Sequence, residues 1–194
     1  MISAQEFAKN FAPHAVPAEL VKLLAFQEDV GKFGRYAKGF GLERDDKSGL
    51  KSWSEDPEFL ARLLPFARAR GTGSFYALWA DGDATADGTT TDSSSLPVVA
   101  CGDEGGIHVV AENVRGLLSL LCFDIEPTID LDGVDFYKDE DDHKASENHQ
   151  KYLEWFSKLG LEPVEDPETI VTAAQARYQA RFAAWLARYY DADA

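Results

Sequence analysis

Basic residues are scarce in this chain, and so is sulfur. Nineteen lysines and arginines stand against 34 aspartates and glutamates over 194 residues, a formal charge of −15. Nucleic-acid phosphates and anionic lipid headgroups are held by Lys and Arg, so such a surface repels both, and neither is expected as a partner. A basic protein is attracted instead, and its encounter is accelerated. The two cysteines, Cys101 and Cys122, are too few for a disulfide scaffold. One falls in an apolar strand pattern and the other in an apolar helix pattern, as expected of free thiols in a reducing compartment. No apolar run approaches the ~20 residues that span a bilayer. The opening MISAQEFAKNFAPHAVP lacks the basic start and apolar core of a signal peptide. The expected location is the cytoplasm. What the chain does have is 45% hydrophobic and 12% aromatic residues. A chain of this length buries roughly 70% of its unfolded surface, so a single domain over residues 1–194 needs no staples.

The elements follow from periodicity and punctuation. Ser3 caps a short helix through Phe7 and Phe11, and Pro17 opens another in which Val16, Leu20, Leu23 and Leu24 share a face. Gly31–Leu42 holds four glycines and three aromatics and is expected to be irregular or a short strand with turns. Asp56-Pro57 starts a helix whose face is Phe59, Leu60, Leu63 and Leu64, ended or kinked by Pro65. From Gly73 to Gly82 alternation predicts a strand, Phe75, Ala77 and Trp79 on one side and Tyr76 and Leu78 on the other. With both sides apolar it belongs in the centre of a sheet. Gly82–Ser95 is small and polar and is expected to be a mobile loop. Pro97–Cys101 and Ile107–Ala111 form a hairpin around Gly102-Asp103-Glu104-Gly105-Gly106. Asn113 caps a helix with Val114, Leu117, Leu118 and Leu121 on one face. Ser146 opens a helix closed by Gly160, and Asp166-Pro167 opens a last one carrying Val171, Ala174, Tyr178, Phe182, Trp185 and Tyr189. Helices, strands, then helices predict an α+β fold, a small, mostly antiparallel sheet flanked by N- and C-terminal helices.

Three stretches have residues fit for chemistry. The turn carries Asp103 and Glu104 with His108 just beyond, an acid/base set on paper. Adjacent side chains diverge in a hairpin, however, and paired-carboxylate catalysis needs groups converging from separate elements. Between Asp124 and Asp142, nine acids stand against Lys138, a local charge of −8. Its contiguous acids lack the alternation and central glycine of a calcium loop. The His143/His149 region, with Glu147, offers metal ligands without the usual close zinc pairing. The favoured reading is a solvated acidic surface for a basic protein, with Asp130, Asp132, Asp135, Asp139, Glu140, Asp141, Asp142, Asp103 and Glu104 as the contact residues. The competing readings are a metal-dependent or acid/base hydrolase using Asp103, Glu104, His108 or the His143/His149 region, and a regulatory scaffold. No cofactor and no metal is expected, and oligomeric state is left open. On the C-terminal helix, Arg177, Arg181 and Arg188 fall off the aromatic stripe and are expected to be solvated.

The stretch VVACGDEGGIHVVAENV, with VPAELVKLLAFQEDVGKFGRYAKGF before it, resembles the SMI1/KNR4 (SUKH) superfamily. Its members pair strands around a Gly- and Asp-rich turn. The resemblance covers about residues 15–125, leaving the acidic segment and C-terminal helices, 126–194, outside it. The family's Leu-Pro-x-x-Tyr and Asn-Gly-Gly signatures are absent. The resemblance implies a small sheet flanked by helices, no catalytic residues, and an immunity protein that neutralises a bacterial toxin, here a basic toxin domain.

Overall fold

A computed structural model of the chain describes residues 2–31, 33–80, 93–139 and 141–190. It is α+β: a five-stranded antiparallel sheet with helices before and after it. In chain order the elements are α1 (Ala4–Ala8), α2 (Ala18–Val30), β1 (Gly41–Leu42), α3 (Pro57–Arg62), β2 (Leu63–Arg68), β3 (Phe75–Trp79), β4 (Val98–Cys101), β5 (Ile107–Ala111), α4 (Val114–Leu121), β6 (Thr128–Ile129), β7 (Val134–Asp135), α5 (His149–Lys158) and α6 (Pro167–Leu186). The strands run as a meander, β1 to β5 in spatial order, with β6 and β7 as a separate two-stranded ribbon.

Both faces of the sheet are covered, and alternation divides its residues between two cores. Leu64, Phe66, Tyr76, Leu78, Val98, Ala100 and Val110 meet α2, α4 and α5. Leu63, Phe75, Ala77, Trp79, Val99, Cys101 and Val109 meet Phe59 and the α6 stripe Ala174, Tyr178, Phe182 and Trp185. Every residue of β3 is buried, as its two apolar faces require. Three aromatics dominate the α6 stripe: the Trp185 ring stacks on Phe59 at 5.7 Å, and Phe182 meets Trp79 edge-on at 5.0 Å.

The two edges of the sheet are closed by glutamines. On β1, the Gln27 amide accepts from Leu42 N at 2.7 Å and donates to Leu42 O at 2.9 Å. On β5, Gln179 accepts from Val109 N at 3.2 Å and Gln175 donates to Val109 O at 3.3 Å. One turn apart on α6, these two side chains supply what a further strand would. An edge left open is a template for pairing with other chains, and here one residue of each edge strand is paired from within.

Several local expectations are corrected. Leu63 and Leu64 are strand, not helix: α3 is six residues long, and β2 runs through Pro65 with a bulge between Pro65 and Ala67. Consecutive apolar residues feeding two cores imitate a helical face, and only the second core separates the cases. The first helix stops at Ala8, with Phe11 buried from the turn after it. Pro17 caps α2 from outside, so Val16 precedes the helix. Asn148, not Ser146, stands before α5. Phe123–Asp142, whose sequence reads as irregular and acidic, contains the β6–β7 ribbon. Of the loop expected at Gly82–Ser95, all but Ser93–Ser95 lies outside the described residues. Ser93 is buried and donates to the Ala15 carbonyl, so this end of the loop is anchored. The arginines of α6 stack on the aromatic stripe as well as meeting solvent: Arg177 lies over Tyr178, and Arg181 over Tyr178 and Trp79. Among the described residues no helix is long and apolar enough to cross a membrane.

Candidate functional site

The β4–β5 turn is built on close backbone approach. Gly106 has φ +80°, and a Cβ there would stand 1.9 Å from the Asp130 carbonyl oxygen. A Cβ on Gly102 would stand 2.3 Å from Gly105 O and 2.9 Å from Ile129 O. The turn therefore lies against Ile129–Asp130, and His108 Nε2, 2.7 Å from Asp130 O, adds a side-chain bond to the same carbonyl. Through this contact the turn and the acidic segment share one end of the molecule.

Asp103 and Glu104 are both exposed, but Asp103 is held. Its Oδ1 accepts from Ser74 Oγ at 2.5 Å and Thr72 Oγ1 at 3.0 Å, and its own N–H donates to Ser74 Oγ at 3.1 Å. The Ser74 hydroxyl is the main reason that the Asp103 carboxyl sits below its ordinary range. A depressed value in the folded state favours folding above the unfolded value, and that contribution is lost as pH falls through the folded one. Ser74→Ala is expected to return the Asp103 midpoint upward, measured by carboxyl-carbon NMR during an acid titration. An unmoved midpoint would remove Ser74 as the cause. Asp103 faces Ser74 and Thr72 while His108 faces Asp130, and no hydrogen bond joins them.

The acidic segment has a dry end and a wet end. Asp130 Oδ1 accepts from Asp132 N and Gly133 N, both at 3.0 Å, closing the turn of the β6–β7 ribbon. Asp139 Oδ1 likewise accepts from Asp141 N at 3.1 Å. Asp130, Asp132, Asp135, Asp139, Asp141 and Asp142 are all exposed, as a contact surface needs. Glu140 lies outside the described residues.

Asp124 differs from the rest and was not singled out by its sequence. It is 1% exposed with φ +55°. Its Oδ1 accepts from Lys38 N at 2.8 Å and Ser146 Oγ at 2.6 Å, and its Oδ2 from Ser146 N at 2.6 Å. His143 Nε2 and His149 Nδ1 lie 3.8 and 3.9 Å from the carboxylate. The His149 ring bridges two carbonyls, with Nδ1 2.9 Å from Tyr36 O and Nε2 3.0 Å from Cys122 O. Asn148 extends the junction, donating from its N–H to Arg35 O and from Nδ2 to Val30 O, both at 2.8 Å. This knot ties the end of α4, the glycine-rich segment after α2 and the entry to α5. The two histidines come together here, but Glu147 pairs with Arg35 instead of joining His143. Its one sequence signal is position: Asp124 directly follows an apolar helix, whereas the other acids come later.

The remaining candidates for nucleophilic work are the thiols. Both are free, Cys101 buried and Cys122 half-buried. Burial pushes the Cys101 thiol far up and the Cys122 thiol to about 12, so neither is a thiolate near neutrality. Among the described residues no group of three or more His, Cys, Asp or Glu is arranged to hold a metal ion. The geometry defines an α+β protein whose exposed chemistry is carboxylate, gathered on a segment pinned at one end by the hairpin turn and at the other by Asp124. No protein-family model matches the chain, and no curated protein or solved structure does either.

Proposed function

We propose that this chain is a non-enzymatic binding protein, an immunity protein of the SMI1/KNR4 type that occupies a basic toxin domain in the cytoplasm and blocks it. The observation that carries the reading is the set of exposed carboxylates Asp130, Asp132, Asp135, Asp139, Asp141 and Asp142, with exposed Asp103 and Glu104, on a chain of charge −15. Opposite charge across an interface raises the association rate and disfavours wrong partners. The anchored backbone beneath the segment supports it further, because a preordered surface loses less entropy on binding. A hydrolase at the turn has less support, since Asp103 and His108 are engaged with different neighbours.

The test is co-expression with a candidate toxin taken from the adjacent gene, where the chain is expected to restore growth. Lysine at positions 139, 141 and 142 (Asp139→Lys, Asp141→Lys, Asp142→Lys) should then slow association about tenfold or more at low salt. The deficit should shrink as salt screens the charges. An unchanged association rate would sink the assignment of these residues. Growth that stays arrested with well-folded protein present would count against immunity itself, and binding without protection would favour a regulatory scaffold.

A further inference from the structure

The acidic segment and the start of α6 enclose a groove of about 520 Å³, within the range of sites that seat a side chain or small ligand. Its apolar lining includes Phe123 and Ile125 from the chain after α4 and Val171 from α6. Four acids, Asp135, Glu165, Asp166 and Glu168, line it against Lys138. Two of these have a duty within α6. Asp166 accepts from Glu168 N at 2.9 Å as the N-cap, and with Glu168 it faces the positive end of the helix. Asp135, on β7, and Glu165, in the segment before α6, line the same groove without capping that helix. Tyr137 on the wall is 73% exposed, and Val164 beside Glu165 is 37% exposed. Large side chains left in water at a polar rim are what an interface covers, and tyrosine is among the residues that anchor one.

We infer that this groove receives an arginine or lysine of the basic partner, flanked by an apolar residue. The inference rests on the reading of the chain as a binder of a basic protein and names where that binding is anchored. A long cationic side chain has an apolar stem and a charged head, so it can lie on Phe123, Ile125 and Val171 and end between Asp135 and Glu165. A small anion or an acidic peptide would meet a surplus of carboxylates. A purely apolar ligand would leave those carboxylates facing it without compensation. Asp139 and Asp142 line a smaller neighbouring pocket of about 290 Å³ with Ile125 and Tyr137, and with Asp141 they serve long-range attraction.

The probe is acetyl-Arg-Leu-Arg-Phe-amide, titrated into the ¹⁵N-labelled full chain and followed by amide shifts. Saturable shifts are expected at residues 123–125, 134–138 and 165–171. Citrulline in place of both arginines, or glycine in place of leucine and phenylalanine, should weaken binding at least about fivefold. Asp135→Asn with Glu165→Gln should do the same while the spectrum stays folded. Asp139→Asn with Asp141→Asn and Asp142→Asn should change the affinity less than about twofold, since short-range contacts dominate a seated side chain. Shifts centred on 139–143, equal binding by the glycine peptide, or no saturation at about millimolar peptide would each overturn the groove. Protection from the toxin alongside any of those results would leave immunity standing and the groove wrong. A peptide-binding groove without protection would be the converse.

Discussion

Alanine at Asp124 is expected to cost about 4 kcal/mol in urea unfolding, a large fraction of the stability of a domain this size. The carboxylate accepts from Lys38 N, Ser146 N and Ser146 Oγ, and all three donors lose their partner in a part-buried site. A buried donor left unpaired costs about 1–3 kcal/mol, and alanine at φ +55° adds strain that aspartate tolerates better. Asp124→Asn separates these causes. It keeps one oxygen and the favoured backbone, but sets an amide against a donor, so roughly half the loss is expected. Hydrogen exchange should quicken first at 35–40 and 146–149, because the knot joins those segments. A loss below about 1 kcal/mol for the alanine variant would mean that the knot is not what holds α5 in place.

Gly106→Ala is expected to destabilise the fold by about 3 kcal/mol and to disturb a segment distant in sequence. The new methyl group would meet the Asp130 carbonyl oxygen at 1.9 Å, a backbone atom that cannot swing aside. Either the hairpin or the β6–β7 ribbon must shift, which also breaks the His108 bond to Asp130 O. The expected signature is loss of thermal stability with amide shifts over residues 129–134. Gly133→Ala, in the same ribbon but with open space around its Cα, should stay within about 0.5 kcal/mol. Equal effects at the two positions would show that the turn does not carry the acidic segment.

Much of the framework was legible before folding. Asp56-Pro57 and Asp166-Pro167 start helices where cap chemistry says they should, with Asp56 accepting from Glu58 N at 2.8 Å. Asn113 accepts from Gly116 N at 3.1 Å, and the hairpin and central β3 lie at the expected residues. These signals are local: a cap, a proline at the first turn or a glycine turn acts over a few neighbouring residues. The misses share a cause as well. Leu63 and Leu64 satisfy a helical period and a two-sided strand equally, and Ser146 has the composition of a cap but binds a carboxylate 22 residues away.

The candidate site divides along the same line. Charge, its concentration between Asp124 and Asp142 and the apolar stripes are sums over residues, and the sequence by itself determined them. With them came the α+β class and the proposal of a basic partner. Only the tertiary structure decided which acids face water. Nothing in composition separates Asp124, buried beneath two histidines, from Asp130 or Asp142, exposed to solvent. It also brought Asp135 and Glu165 to the lining of one groove and set the hairpin turn against Asp130. Burial and convergence depend on contacts between residues far apart in the chain, and those exist only once the chain has folded.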